Sequence, residues 1–308
     1  MECWNSGLMG PSPIQHPVFH DDKFLTMRLI ENNDAMRAWS EGERCAGRRI
    51  AFVPTMGFLH RGHLQLVREG RARGDRLAVS IFVNPTQFGP GEDFAGYPRN
   101  LERDRALLEK AGVDVLFHPT MAEVYPDGAE THVEVEKLSQ PLCGALRPGH
   151  FRGVATVVVK LFNIVRPHIA VFGEKDYQQL QLIRRLVRDL SMDVEILGHP
   201  IVREADGLAL SSRNAYLSEA ERAAAVCLSR ALCKAERLLQ RGETSARAII
   251  GSARAELDQE PLASVEYVKL CDPETLHDIA TVADTALLAL AVRLGKARLI
   301  DNRVLARH

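Results

Sequence analysis

No charge of one sign dominates this 308-residue chain. Lysine and arginine number 39 against 40 aspartates and glutamates, a formal net charge of −1. A protein dedicated to nucleic acid needs a basic face to displace counterions from phosphates, and the balance argues against that class. Long apolar runs are missing too. The strongly apolar stretch Val154–Val165 is broken by Lys160 and Asn163 and is too short to cross a bilayer. The six cysteines, at 3, 45, 143, 227, 233 and 271, form no C-x-x-C pair; reduced, mostly buried thiols are expected. There is no internal repeat and no low-complexity tract. Met1–Met27 has neither the basic n-region nor the apolar h-region of a secretory signal, and it is too acidic and too poor in Arg for a transit peptide. The Gly, Pro and His content of residues 1–26 predicts a disordered N-terminal extension, with Met27 an alternative start, and the cytoplasm is the expected location. What is present is an ordinary globular composition, 46% hydrophobic and 26% charged, with room for two domains.

From about Arg49 apolar strands alternate with amphipathic helices. Strands are expected at Arg49–Val53, Leu77–Val83, Val113–Phe117, His168–Phe172 and Val194–Leu197, with a further one at Thr131–Val135. Helices are expected near Gly62–Ala72, Leu101–Ala111, Gly153–Val165 and Tyr177–Leu190. This alternation implies βαβ units and an α/β, Rossmann-like parallel sheet with right-handed crossovers. Ligands of such sheets bind beyond the carboxyl ends of the strands, which directs attention to the segments after Val53, Val83 and Phe172. Past Val202 the pattern changes to helices at Glu219–Gln240 and Thr244–Asp258. Strands without intervening helices follow at Val265–Leu270, Ala286–Val292 and Ala297–Leu299. A boundary near 201–204 is therefore expected, dividing a parallel-sheet domain (27–201) from a smaller α+β lid domain (202–308).

Three strand-end or turn motifs carry chemistry. In Val53-Pro-Thr-Met-Gly-Phe-Leu-His-Arg-Gly-His63 a buried strand turns into a helix whose N-terminus is bracketed by His60 and His63. Free N–H groups and the helix dipole attract anions there. Glycines admit close backbone approach, and imidazoles can donate to phosphate oxygens as charge develops. H-x-x-H also fits half a metal site, but no third His or Cys follows at ligand spacing; two incidental surface histidines remain an alternative. Phe172-Gly-Glu-Lys-Asp176 again ends a strand, with Lys175 a point charge for phosphate and Asp176 suited to a helix N-cap or to a hydroxyl. By itself such a turn fits a solvated loop as well. Leu210-Ser-Ser-Arg-Asn214 offers two hydroxyls and a guanidinium fork for a polyphosphate, or simply a turn before a helix capped by Ser218. The long Gly- and Pro-rich connection Asn84–Pro98 reads as a functional or mobile loop.

Taken together these motifs match the layout of the HIGH-type nucleotidylyltransferase superfamily. Pro54–His63, Phe82–Phe88, Tyr97-Pro98-Arg99, Gly173–Leu180, Arg203–Ala209 and Ser211–Asn214, in that order, closely resemble the pantothenate synthetase (pantoate–β-alanine ligase) family. The similarity runs from about Met27 to Arg303, and Leu210 stands where many members have Met. The resemblance implies that pantoate and β-alanine are joined at the expense of ATP through a pantoyl adenylate, releasing AMP and pyrophosphate. It implies a catalytic set of His63, His60, Lys175 and Arg213, with His63 a proton donor. It assigns nucleotide contacts to Met56, Gly57, Phe58, Leu59, His60, Arg61, Gly62 and His63, to Gly173, Glu174, Lys175 and Asp176, and to Val202, Leu210, Ser211, Ser212 and Arg213. Gln87 and Gln179 would bind pantoate, with Gln87 also meeting β-alanine; without the resemblance both read as solvated polar residues. Val157 and Val158 are candidates for the pantoate methyl groups, and Arg147 and His150 for a carboxylate or phosphate. Mg²⁺ would accompany ATP without a dedicated carboxylate cage, and a homodimer is implied. No G-x-S-x-G nucleophile motif is present, and neither step needs one. The alternative enzyme reading is another HIGH-type nucleotidylyltransferase, such as a pantetheine-phosphate adenylyltransferase. A tRNA-charging domain is disfavoured by the neutral charge.

Overall fold

The computed structural model describes residues 27–307; the extension expected at 1–26 lies outside them. The first unit runs β1 (Arg28–Ile30), α1 (Asn33–Cys45), β2 (Ile50–Thr55), α2 (Arg61–Arg73), β3 (Arg76–Ile81), α3 (Leu101–Lys110), β4 (Val115–Phe117), α4 (Met121–Val124), α5 (Cys143–Leu146), α6 (His150–Val165), β5 (Ile169–Gly173), α7 (Tyr177–Asp189) and β6 (Glu195–His199). Its strands form one sheet in the order β1-β4-β3-β2-β5-β6, every pair parallel. The order reverses between β2 and β5, and a crevice opens at such a switch point beyond the strand ends.

Strand residues alternate between two cores, as the period of a pleated strand requires. Ile50, Phe52, Ala170 and Phe172 face α1, α6 and α7, whereas Ala51, Val53, Ile169 and Val171 face α2 and α3. Both faces are covered, so the strands read as continuous apolar runs. Helix α6 is apolar because it is buried on most of its surface against the first of these cores. It begins at His150, earlier than expected. Gly153 lets it press against the loop after β3, since a Cβ there would stand 2.3 Å from the Thr86 carbonyl oxygen.

The rest of the chain builds α8 (Glu219–Ala224), α9 (Val226–Gln240) and α10 (Ala246–Leu257), then β7 (Ala263–Cys271), β8 (Thr285–Leu294) and β9 (Ala297–Ala306) in an antiparallel β7-β8-β9 sheet. The central strand β8 is buried on both faces. Leu288, Leu290 and Val292 pack with Leu232 and Ile249 of the helices, while Leu287 and Ala289 meet Leu138 and Leu142 of the first unit.

Several expectations need correction. Thr131–Val135 is no strand: the Val133 N–H donates to the Thr156 hydroxyl of α6, 3.0 Å away, so its backbone is satisfied outside any ladder. The helix expected over 219–240 breaks at Ala225, although Ser218 does cap α8, in a reciprocal box with Glu221. Strand β9 continues seven residues past the expected Leu299. Its polar residues are taken up by tertiary partners, Asp301 by Arg203 and Arg303 by Glu236. Strand β1 and helix α1, capped by Asn32, were not anticipated. Among the described cysteines Cys143, Cys227 and Cys271 are buried, Cys233 is half-buried and Cys45 is exposed; none is in a disulfide.

Candidate active site

The turn after β2 is built to present two imidazoles. Gly57 (φ 84°) and Phe58 (φ 49°) both take left-handed conformations, which cost a non-glycine residue some strain. The buried Asp104 carboxylate of α3 holds the turn by accepting the Phe58 and Leu59 N–H groups at 2.6 and 2.8 Å. His60 is then the N-cap of α2. Its Nδ1 accepts from the Gly62 N–H at 3.1 Å, and the His60 N–H donates to Nδ1 of His63 at 3.3 Å. The rings stack with centroids 4.0 Å apart. Gly62 is required because a Cβ there would lie 2.8 Å from the His60 ring. With each Nδ1 accepting a backbone N–H, each neutral ring carries its proton on Nε2. Burial, and next the Lys175 ammonium, push His60 down to about 4. Burial, then His60 and Lys175, hold His63 well below the usual histidine range. Both rings are neutral hydrogen-bond donors at pH 7.

Across the switch point, β5 ends at Gly173 and a 3-10 turn, Glu174–Asp176, leads into α7. Asp176 makes no side-chain cap to α7, contrary to one sequence expectation; its carboxylate lies 3.6 Å from the Lys175 ammonium instead. The turn is secured from elsewhere, because the Asn302 side-chain amide donates to the Glu174 and Lys175 carbonyls at 3.0 and 2.9 Å.

The third segment arrives through a small hairpin closed by an Arg203–Ala209 bridge. Beyond it the Ser212 hydroxyl donates to the Phe58 carbonyl at 3.2 Å, tying this segment to the histidine turn. Arg213 makes a two-pronged pair with Asp93 of the long loop, both contacts 3.0 Å, and its guanidinium lies over Tyr97. The neighbouring Glu92 engages Arg147 in the same way at 2.7 and 2.6 Å. The loop expected to be functional or mobile is thus tethered by two carboxylate–guanidinium forks.

These segments enclose a cavity of about 240 Å³. Its inner wall is apolar, from Phe82, Val154, Val157, Val158 and Leu161. Gln87 is held on that wall: Asn84 donates to its Oε1 at 3.0 Å and its Nε2 meets the Met56 sulfur at 3.2 Å. The Gln87 carbonyl faces His150 Nδ1 at 2.7 Å. Burial, and then the Arg147 charge, push His150 down to about 4, so that Nδ1 is the protonated, donating nitrogen of a neutral ring.

A profile of the family described as pantoate-beta-alanine ligase matches residues 28–304. The chain belongs to the pantoate-beta-alanine ligase family. It is 57% identical over 278 residues to a pantothenate synthetase of Heliobacterium modesticaldum, covering 90% of this chain and 99% of that one. It is 56% identical over 279 residues to that of Geobacter sulfurreducens, covering 91% and 99%. Among solved structures it resembles the pantothenate synthetase of Thermus thermophilus, with a TM-score of 0.86 at 48% identity over 90% of this chain and 99% of that one. It also resembles the Francisella tularensis pantoate-beta-alanine ligase complexed with beta-gamma ATP and beta-alanine, with a TM-score of 0.75 at 34% identity over 90% and 97%.

For a member of this ligase family the expected site residues sort into two groups. Met56, His60, Gly62, His63, Gly173, Lys175, Asp176, Val202, Leu210, Ser211, Ser212 and Arg213 all line the cavity, as do Gln87 and Gln179. So do Val157, Val158, Arg147 and His150. Gly57, Phe58, Leu59, Arg61 and Glu174 do not. Gly57 and Phe58 form the turn behind the histidines, Leu59 is wholly buried in the core, and Arg61 pairs with Glu204 at the surface. The Glu174 carboxylate lies beside Gly198, where a Cβ would meet it at 3.1 Å. Sequence reasoning did not single out Asp104 or Asn302. Both act on backbone groups from distant positions, and no local motif announces that. Glu92 and Asp93 went unremarked because acidic loop residues usually face solvent.

Proposed function

We propose that this chain is an ATP-dependent ligase that joins pantoate to β-alanine. The pantoate carboxylate attacks the α-phosphorus of ATP, the bond to pyrophosphate breaks, and pantoyl adenylate results. The β-alanine amine then attacks the acyl carbon, AMP departs, and the amine loses a proton as the amide forms. The observation that carries the reading is one cavity at the switch point with a neutral imidazole pair on one strand end and an ammonium on the other. Neither step needs a nucleophile from the protein, so its work is positioning and charge stabilisation.

In this proposal the Nε2–H groups of His60 and His63 donate to phosphate oxygens, with His63 nearer the reacting centre. Lys175 meets the charge that develops on the α-phosphate. Ser211, Ser212 and Arg213 take the outer phosphates, with Arg213 exchanging Asp93 for them. Residues 27–201 hold the reactants and the segment from 202 onward closes over them. Gln87 and Gln179 bind pantoate oxygens, Gln87 lies within reach of β-alanine, and the valines of α6 take the methyl groups. Among the described residues no cluster of three or more His, Cys, Asp or Glu stands ready for a metal. Mg²⁺ fits here only as a companion of ATP, held chiefly by phosphate oxygens and water. A cytoplasmic homodimer completes the proposal. Its support is the family alone; among the described residues no helix is long and apolar enough to cross a membrane.

The direct test is AMP production with ATP, pantoate and β-alanine. AMP should appear only with all three, and pantoate alone should release pyrophosphate no faster than the bound intermediate accumulates. Turnover with phosphopantetheine in place of pantoate would sink the reading in favour of an adenylyltransferase. Light scattering in solution reads the assembly.

A further inference from the structure

The turn carrying Lys175 has no side-chain cap of its own, and what holds it comes from β9, more than 120 positions along the chain. Asn302 is buried, and its two amide hydrogens have two acceptors, the carbonyls of Glu174 and Lys175. The residue before it, Asp301, is also buried and receives both prongs of Arg203 at 2.7 and 2.9 Å. Arg203 in turn donates to the Gly207 carbonyl at 3.0 Å, inside the hairpin that delivers Ser211–Arg213. Two neighbouring residues of β9 therefore anchor both the lysine turn and the segment bearing the guanidinium.

We propose that Asn302 is a positioning residue for the reaction: it fixes the Lys175 ammonium against the α-phosphate, and with Asp301 it sets the spacing between Lys175 and the Ser211–Arg213 segment. This rests on the functional reading above and assigns a role to a strand that lines, with Asp301 and Asn302, an adjoining cavity of about 470 Å³ sharing Lys175 and Arg213 with the first. The physical case is one of matched valence. A side-chain amide with both hydrogens engaged on consecutive carbonyls defines the orientation of that peptide pair. The Cα of Lys175 is then fixed, and only its own rotamers remain free. A group needed mainly when charge builds up in the transition state is sensitive to such placement, and a shift of about 1 Å costs on the order of a hundredfold. A residue that merely glued the two units together would instead affect both half-reactions and the melting temperature in proportion.

The experiment separates these roles. Pantoyl adenylate formation and aminolysis of preformed pantoyl adenylate are measured for the wild type, Asn302→Ala, Asn302→Ser, Lys175→Ala and the double variant Asn302→Ala/Lys175→Ala, with melting temperatures alongside. Asn302→Ala should slow adenylate formation about ten- to a hundredfold, with the KM for ATP and pantoate changed by less than about threefold and aminolysis nearly intact. Asn302→Ser, which keeps one donor, should fall between, and it guards against a folding failure of the alanine variant. Once Lys175 is gone, removing Asn302 should cost less than about twofold more, because residues that act as one unit are not additive. Equal losses in both half-reactions that track the melting temperature, or full additivity in the double variant, would overturn the positioning role. A wild type that makes no pantoate-dependent AMP would overturn the functional reading and the inference together, whereas an active wild type with an unimpaired Asn302→Ala overturns the inference alone.

Discussion

Two strand ends face each other across the switch point, and they are held by different means. The N–H groups of the turn after β2 are secured inside its own unit, and the second unit reaches it through the Ser212 hydroxyl on the Phe58 carbonyl. His60 caps α2, His63 closes the box, and Asp104 of the adjacent helix takes the two N–H groups that the left-handed turn exposes. The turn after β5 has no such cap, and the Asn302 amide from the second unit clasps its carbonyls. The imidazoles are thus preorganised by local structure, while the ammonium depends on how the two units meet. A fixed donor pair facing a charge placed by domain packing suits a reaction in which one side of the triphosphate must be cradled and the other met as charge develops.

The sharpest way to break this comparison is at the self-held turn. His63→Ala should lower turnover about 10²- to 10³-fold, or roughly 3–4 kcal/mol, the usual loss for a preorganised transition-state donor. ATP affinity by calorimetry should change little; near-normal kcat would remove His63 from the reaction. Next in size is Asp104→Ala. It orphans the buried Phe58 and Leu59 N–H groups, each worth about 1–3 kcal/mol, so the melting temperature should fall by several degrees, with activity lost through disorder of the histidine turn. An unchanged melting temperature would mean that the left-handed turn holds without α3.

Substrate contacts come third. Gln87→Ala and Gln179→Ala should each lower kcat/KM for pantoate by about 1–3 kcal/mol, since a partner hydroxyl is left unpaired. ATP affinity should stay nearly constant; if it collapses instead, these amides belong to the nucleotide pocket.

Taken one pH unit at a time, the smallest effect is on stability against pH without nucleotide. His60 and His63 have folded-state pKa values below the ordinary 6.5, lowered by burial first and neighbouring charge second. Between about pH 6.5 and 4 the unfolded chain binds protons that the folded site refuses. Stability is therefore fully present above 6.5 and declines as pH falls toward 4, by up to roughly 1.4 kcal/mol per pH unit for each histidine. Denaturant titrations of the wild type and His60→Asn should differ in this slope, the variant being flatter. Identical slopes would place the imidazoles in solvent.

Much of this was legible because short-range physics governs it. A parallel sheet follows from apolar runs separated by helical patterns, and the positions of His60, His63 and Lys175 at strand ends follow from where those runs stop. The capping of α8 by Ser218 needed only residues within one turn. Thr131–Val135 misled because its apolar alternation matches a strand, yet its register partner is the hydroxyl of Thr156 on a helix. Strand β9 seemed to end at Leu299 because Asp301 and Arg303 are charged, and charge inside a strand reads as a break until Arg203 and Glu236 are seen to absorb it.

The amino-acid sequence by itself determined the family, the α/β class and the residue types able to meet a triphosphate, because these rest on hydrophobic periodicity and on motifs whose parts are adjacent in the chain. Tertiary structure alone decided which of those residues share a cavity. It turned Leu59 into the core, put Arg61 on Glu204, set Glu92 and Asp93 on the two guanidiniums, and brought Asn302 to the carbonyl of Lys175. Contacts between residues this far apart in the chain are set by how sheets and helices stack, and a side chain's partner at that range leaves no trace in its neighbours along the chain.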